Sequence, residues 1–404
     1  MSGIVDGPEV SALLGELTTM VGRADPYPRY ARLREISPVV RADDGALVVT
    51  RYADCSTVAR DGRFVHMPPD VLAVLGFPDW ADRPSLRMMF TSMLIRNPPD
   101  HTRLRRLVSG AFTARRVAEL RPAIGRLVDE LLDGLDGEVD LVAALAFPLP
   151  VNVIGELLGV PAPDRAQFQP LVRDWTRILE VLTPEAVDQA DAAAAVIRTY
   201  LEDLIATRRR RPGADLLSAL IAVEEAGDQL SGEELLTTAA LLFAAGFETT
   251  TNLLANSVVA LLEHPGELAR LRAEPELAQP AVEELLRFDS PVQLLARVAA
   301  DPVEVGGVVV GEGERIVAYL GAANRDPDRF PEPDRLWLER PDNAPVSFGG
   351  GIHYCLGAPL ARLEAQVALP ALVRRFPALA LAGAPQRRDS LSIKGLTRLP
   401  VSLR

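Results

Sequence analysis

The chain has 404 residues, 48% of them hydrophobic, and a formal net charge of −12. That length and apolar content suffice for a large buried core, while the acidic balance argues against general affinity for nucleic acid or an anionic membrane. Two cysteines, Cys55 and Cys355, with no disulfide-like spacing suit a reducing, cytoplasmic setting. No linker, low-complexity block or fixed-period repeat divides the chain, so one domain over residues 1–404 is expected. The N-terminal stretch carries acidic residues inside its apolar runs and is too interrupted for a signal peptide or membrane anchor.

The first predicted element is a β-hairpin, in which the two Val-rich runs of SPVVRADDGALVVTRY flank Asp44-Gly45 as the turn. From Pro98 to about Leu286 the apolar period is helical, with breaks at Pro148–Pro150, Pro161–Pro163 and Pro212-Gly213. The four arginines Arg208–Arg211 read as a helix C-terminus facing solvent, where positive side chains oppose the dipole. A long helix is predicted from Ser231 to His264. Ser231 and Glu234 open it as a capping box, Pro265 stops it, and its length is about 50 Å at the standard rise. Gly246 in its middle costs about 1 kcal/mol relative to alanine, and Glu248-Thr249 interrupts an apolar segment.

PAVEELLRF then predicts a helix with Pro280 in its first turn and Glu284 and Arg287 at i, i+3 on one face. As a bare pair these two say little, since a surface ion pair at that spacing is common in any helical protein. Short β-rich runs from Val303 to Leu320, separated by Gly306-Gly307 and Gly311–Gly313, predict a second strand region. The last motif is FGGGIHYCLG, Phe348 to Gly357, leading into a helix predicted to begin at Cys355. The class is mainly α with minor β.

Glycine loses much backbone freedom on folding, so three in a row mark a place where something must come close or take positive φ. A metal-binding thiolate is favoured by backbone N–H groups at a helix start; taken alone, Cys355 is the more ordinary buried cysteine in a glycine turn. The full spacing F-G-x-G-x-H-x-C-x-G closely resembles the haem-ligand loop of the cytochrome P450 monooxygenases. AGFETT, Ala245 to Thr250, resembles the distal-helix motif of the same family. The likeness covers nearly the whole chain in the same order, and is closest in texture to soluble actinobacterial-type members.

The resemblance implies the cytochrome P450 fold: a single large helical domain with small β-sheets, and haem b between the long distal helix and the proximal cysteine loop. Cys355 would be the axial iron ligand, with Phe348 and Gly357 in the same loop and the glycines letting it lie close to the ring. A thiolate donates electron density to iron and favours O–O cleavage. Thr249 would deliver protons to dioxygen with Glu248 as the neighbouring relay, while Ala245 and Gly246 leave room for oxygen and for a local opening of the helix. His101, Arg105, Arg297 and His353 match positions that bind the haem propionates. Glu284, Arg287 and Arg340, the last in PEPDRLWLERPDN, match a buried structural network. One departure is Ala344-Pro345, where many bacterial relatives carry a basic residue or histidine.

The implied reaction is insertion of one atom of O2, by hydroxylation or epoxidation, into an apolar small molecule. The chain carries no flavin or nicotinamide fingerprint, so electrons would come from a separate ferredoxin and ferredoxin reductase. Arg103, Arg106, Arg115, Arg116 and Arg362 are candidates to dock an acidic ferredoxin, or else form a solvated helix face. Met67, Met88, Met89 and Met93 fall in the segment that usually roofs the substrate cavity in this family, with ordinary core filling as the alternative. With Leu241, Ala244, Leu294 and Ile393 they would suit a polyketide, terpenoid or steroid-like secondary metabolite. The competing readings are a peroxide-driven haem peroxygenase, which Glu248-Thr249 disfavours, and a non-catalytic haem or carrier-protein binding module. A cysteine hydrolase using Cys355 and His353 is disfavoured because i, i+2 neighbours in a tight loop do not readily face each other.

Overall fold

β-Branched side chains stack well across a pleated ladder, and the two valine runs pair as β1 (Val39–Arg41) and β2 (Leu47–Val49), antiparallel with Val39 opposite Val49. Gly45 takes φ 84° in the turn, a conformation that favours glycine. The computed structural model describes residues 3–180, 182–225 and 230–404. Strands β3 (Phe64–Val65), β4 (Leu294–Ala299) and β5 (Arg315–Tyr319) complete a five-stranded sheet of order β1-β2-β5-β4-β3. Only β2 and β5 pair in parallel. Val39, Leu47, Val49, Ile316 and Ala318 form the apolar core of this sheet together with Cys55.

The described residues gather into two units, one drawn from 66–120 and 148–248, the other from 1–65, 121–147 and 249–404. The former is helical. It contains α1 (Asp100–Ala111), against which the Leu216–Glu225 helix packs, and the Pro184–Arg210 helix, which carries Pro84–Phe90 and Phe168–Thr176 on its sides. Trp175 is fully buried there and donates its indole N–H to the Ser85 carbonyl at 3.2 Å. Pro148–Pro150, expected as a break, instead begins the Pro148–Leu158 helix, because the first turn has no intrahelical use for the missing N–H. Arg208–Arg210 end the long Pro184–Arg210 helix as the dipole argument requires.

The helix α2 (Gly232–Glu263) is continuous for 32 residues. Its capping box is formed: Ser231 N donates to Glu234 Oε2 at 2.8 Å, and Glu234 N donates to Ser231 Oγ at 3.2 Å. In the other unit lie α3 (Ala278–Phe288) and α4 (Ala358–Arg375), which pack on each other, with the Arg121–Asp133 helix against α4. The predicted second strand region resolves into β5 and a Val303–Val305/Val308–Val310 hairpin, turned by Gly306 and Gly307 at positive φ. A three-stranded sheet of Glu138–Asp140, Pro400–Ser402 and Ala380–Leu381 was not expected. Its strands are two or three residues long and remote in sequence, so no periodicity announces them. No helix among the described residues is long and apolar enough to cross a membrane.

Candidate active site

The cysteine loop owes its shape to its glycines. Gly349 and Gly351 have φ 69° and 61°, a region where L side chains are strained. A Cβ on Gly350 would fall 2.7 Å from Arg60 Cγ, and one on Gly351 would fall 2.9 Å from the Ala59 carbonyl oxygen. These two glycines therefore let the loop lie on the Tyr52–Arg60 helix, a reason different from the expected approach to a ring. Gly357 is the one beside the sulfur: its Cβ would stand 3.9 Å from Cys355 Sγ. Cys355 N donates to the Phe348 carbonyl at 3.1 Å and closes the loop, with His353 half-buried in a short turn between them. Helix α4 begins at Ala358, three residues later than expected, so the cysteine precedes the helix and Gly357 is its N-cap. Arg362 in the first turns of α4 stacks 4.5 Å from the Phe348 ring centre and pairs with Glu283 on α3 at 2.5 and 3.0 Å.

The two cysteines differ in kind. Cys355 is partly exposed. Cys55 is wholly buried, donates to the Val49 and Tyr319 carbonyls at 3.4 and 3.6 Å, and has its thiol pKa pushed well up by burial. Arg297, in the same unit as Cys355, is only 8% exposed. Its Nη1 donates to the Ala296 carbonyl at 2.8 Å, and among the described residues no carboxylate pairs with it. Burial pushes this guanidinium down to about 10. A buried cation without an acid is unfavourable, and a cofactor carboxylate would relieve it. One partly exposed cysteine and one anion-seeking arginine fit haem.

In the other unit, His101 and Arg105 stand at i, i+4 on one face of α1, His101 being 1% exposed. Burial, and then the Arg105 charge, hold the imidazole below its ordinary value. Two such groups side by side also suit an anion.

Along α2 every residue from Leu235 to Leu261 is buried except Ala245, Gly246 and Thr249. Ala245 and Thr249, four apart, share a helix face. Glu248 is 7% exposed, points elsewhere, and accepts from Thr176 Oγ1 at 3.3 Å. The expected local opening is absent, since α2 runs unbroken through this stretch. Gly246 has a packing reason instead: a Cβ there would fall 2.6 Å from Ile154 Cγ1. Thr176 was not foreseen, because a hydroxyl this far away in sequence leaves no local signal.

Glu284, Arg287 and Arg340 are brought together and buried. Arg287 donates Nε and Nη2 to the Glu284 carboxylate at 2.7 and 2.8 Å, and Arg340 Nε reaches both its oxygens at 3.1 and 3.2 Å. Trp337 N and Asn343 Nδ2 complete the carboxylate's partners. The guanidiniums spend their remaining donors on the Asn324, Pro331, Glu332, Pro333 and Arg335 carbonyls, so the network ties α3 to the segment before the cysteine loop.

Of the residues expected to meet substrate, Leu294 and Ile393 are half-exposed, whereas Leu241, Ala244, Met88 and Met89 are covered by protein. Met88 and Met89 are completely buried, at 0% and 1%. Several of the docking arginines have local acids: Arg103 pairs with Glu234, Arg115 with Glu119 at 3.1 Å, and Arg362 with Glu283. Arg116 donates to the Ala214 carbonyl.

A mainly helical chain that offers one accessible cysteine sulfur on a glycine loop, with a buried arginine wanting an anion, fits a haem-thiolate enzyme. The chain belongs to the cytochrome P450 family, whose model, Cytochrome P450, matches residues 150–402. It is 46% identical over 391 residues to cytochrome P450 107B1 of Saccharopolyspora erythraea, covering 93% of this chain and 95% of that one. It is 45% identical over 389 residues to the vitamin D(3) 25-hydroxylase of Pseudonocardia autotrophica, covering 94% of each. The crystal structure of P450BioI in complex with a hexadec-9Z-enoic acid ligated acyl carrier protein superposes with TM-score 0.89 at 37% identity, over 95% of this chain and 100% of that chain. The protein is a P450 monooxygenase.

Proposed function

We propose that the chain acts as one catalytic domain over residues 1–404 in the cytoplasm. It holds haem b and inserts one atom of O2, by hydroxylation or epoxidation, into a bulky apolar small molecule of the polyketide, terpenoid or steroid-like kind. The observation that carries this reading is Arg297, a buried guanidinium with no acid partner among the described residues, in the unit that also presents the Cys355 sulfur. Cys355 ligates the iron; His101, Arg105, Arg297 and His353 meet the propionates; Ala245, Phe348 and Gly357 flank the group. When bound, haem supplies an iron at which dioxygen is activated, and thiolate ligation favours O–O cleavage.

The Thr249 hydroxyl, on the uncovered stretch of α2, holds a proton for dioxygen and regains it from solvent. Glu248 supplies that hydroxyl by turning from Thr176. Leu294 and Ile393 touch substrate in one unit, and Leu241, Ala244, Met88 and Met89 give the apolar surface of the other. The relative named for vitamin D(3) supports the steroid-like member of the class. Electrons arrive one at a time from a ferredoxin and its reductase, since no flavin or nicotinamide motif is read in the chain.

The reduced, carbon-monoxide-bound spectrum tests ligation. The unaltered protein and Cys55→Ser are expected to give the red-shifted band of thiolate ligation, and Cys355→Ser is expected to lose it. A Cys355→Ser variant that keeps the band refutes the assignment. Spectral shifts on titration with candidate natural products then identify the substrate.

A further inference from the structure

Lys394 is the only lysine in the chain; every other basic side chain apart from the histidines is arginine. It is also buried, at 7% exposure. Its Nζ donates to both oxygens of Asp289, the residue that ends α3, at 2.6 and 2.7 Å. Tyr27 donates its hydroxyl to the same carboxylate at 2.5 Å, and the Arg325 guanidinium lies 4.1 Å from the Tyr27 ring centre and 3.8 Å from that of Phe288. The ammonium is therefore held by a carboxylate that Tyr27 also binds, while the Arg325 guanidinium, a like charge, is occupied by the neighbouring rings.

The backbone around Lys394 is a strap, residues 390–396, pinned along two sides. On one side Lys394 N donates to the Pro291 carbonyl and Gln293 N to the Ser392 carbonyl, both at 2.8 Å, and Val292 and Ile393 form an antiparallel bridge. On the other side the strap lies on α2 just past Thr249. Asn256 Nδ2 donates to the Lys394 carbonyl at 3.1 Å, and Leu396 N donates to Asn252 Oδ1 at 3.2 Å. The approach is so close that a Cβ on Gly395 would fall 1.8 Å from Asn252 Oδ1. Ile393 is half-exposed beside these anchors.

We propose that Lys394 is a positioning residue: its pairing with Asp289 clamps the strap between the end of α3 and α2, and so fixes both the substrate-facing Ile393 and the turn of α2 that follows Thr249. The inference rests on the reading of Ile393 and Thr249 given above for its consequence in turnover, but not for the clamp itself. Lysine suits the place because its compact point charge sits over one carboxylate, whereas the planar fork of arginine directs its donors along fixed lines. Loss of the clamp leaves the strap held only by its backbone bonds and by the Asn252 and Asn256 side chains, so substrate is held less firmly and protons are delivered less productively.

The single lysine makes the clamp measurable. In the haem-loaded full chain, reductive methylation with labelled formaldehyde is expected to modify Lys394 about tenfold or more slowly than the terminal amine, and Asp289→Asn is expected to remove most of that protection. A Lys394 methylated as fast as the terminal amine overturns the clamp, whatever the substrate proves to be. The Asp289→Asn/Lys394→Met double variant leaves no unpaired buried charge and so keeps the fold, read from an unchanged carbon-monoxide band. It is expected to show faster exchange of the Gln293, Lys394 and Leu396 amides and about tenfold less product per electron pair, with Lys394→Arg intermediate between it and the unaltered enzyme. Unaltered strap exchange and coupling in the double variant reduce the pair to a structural contact and overturn the proposal. Failure of the unaltered enzyme to form product would count against the proposed function and leave the methylation and exchange results standing.

Discussion

Replacing Glu364 by glutamine is predicted to make the protein more stable as the pH rises. Glu364 lies in α4, is fully buried, and among the described residues neither of its carboxyl oxygens has a hydrogen-bond partner. Burial raises its pKa well above the ordinary 4.5. An unpaired carboxylate there would cost several kcal/mol, so the folded chain keeps the proton while the unfolded chain releases it. Between the unfolded and the raised folded value the native state thus binds one proton more. The contribution of this group is fully present below the unfolded pKa and is lost as pH climbs, at about 1.4 kcal/mol per pH unit. Glutamine is nearly isosteric and does not ionise, so Glu364→Gln removes that slope. Urea unfolding of the haem-loaded protein from pH 5 to 7 measures it, and the stability difference should start small and widen in favour of the variant. Parallel pH profiles for the two proteins would refute the reasoning, because they would mean that Glu364 is ionised and paired in the native state.

Three further outcomes are expected. Thr249→Ala keeps haem and ligand binding but lowers product per electron pair by about tenfold with a matching release of peroxide, since it removes the hydroxyl on the uncovered face of α2; unchanged coupling would assign the proton donor elsewhere. Glu284→Gln leaves two buried guanidiniums without their shared carboxylate and should cost about 3–5 kcal/mol in denaturant unfolding, with the cysteine loop losing haem before the helices melt. Met88→Ala should cost about 2–5 kcal/mol of stability, as for any fully buried methionine, and ligand titration decides its role: unchanged affinity makes it core, weakened affinity makes it part of the substrate surface.

The local signals in the sequence carried a definite part of this account. The Asp44-Gly45 hairpin, the Ser231–Glu234 box and the stop before Pro265 depend on neighbours a few residues apart, and all formed as expected. The F-G-x-G-x-H-x-C-x-G spacing singled out Cys355 over Cys55 because loop chemistry is written in consecutive residues. What the glycines do there was decided by packing: Gly350 and Gly351 meet Ala59 and Arg60, and Gly246 meets Ile154, contacts between segments that no window of sequence contains. The same holds for the Glu138–Asp140 strand, which exists only because the C-terminal residues return to pair with it. The carboxylate of Glu248 turns to Thr176, and the carboxyl of Glu364 meets no hydrogen-bond partner among the described residues, for reasons of surrounding shape alone. Sequence determines the elements and the reactive atoms, since propensity, capping and loop spacing are local; burial, charge state and the direction each side chain takes are set by whatever distant segment covers it, and those only the tertiary structure could decide.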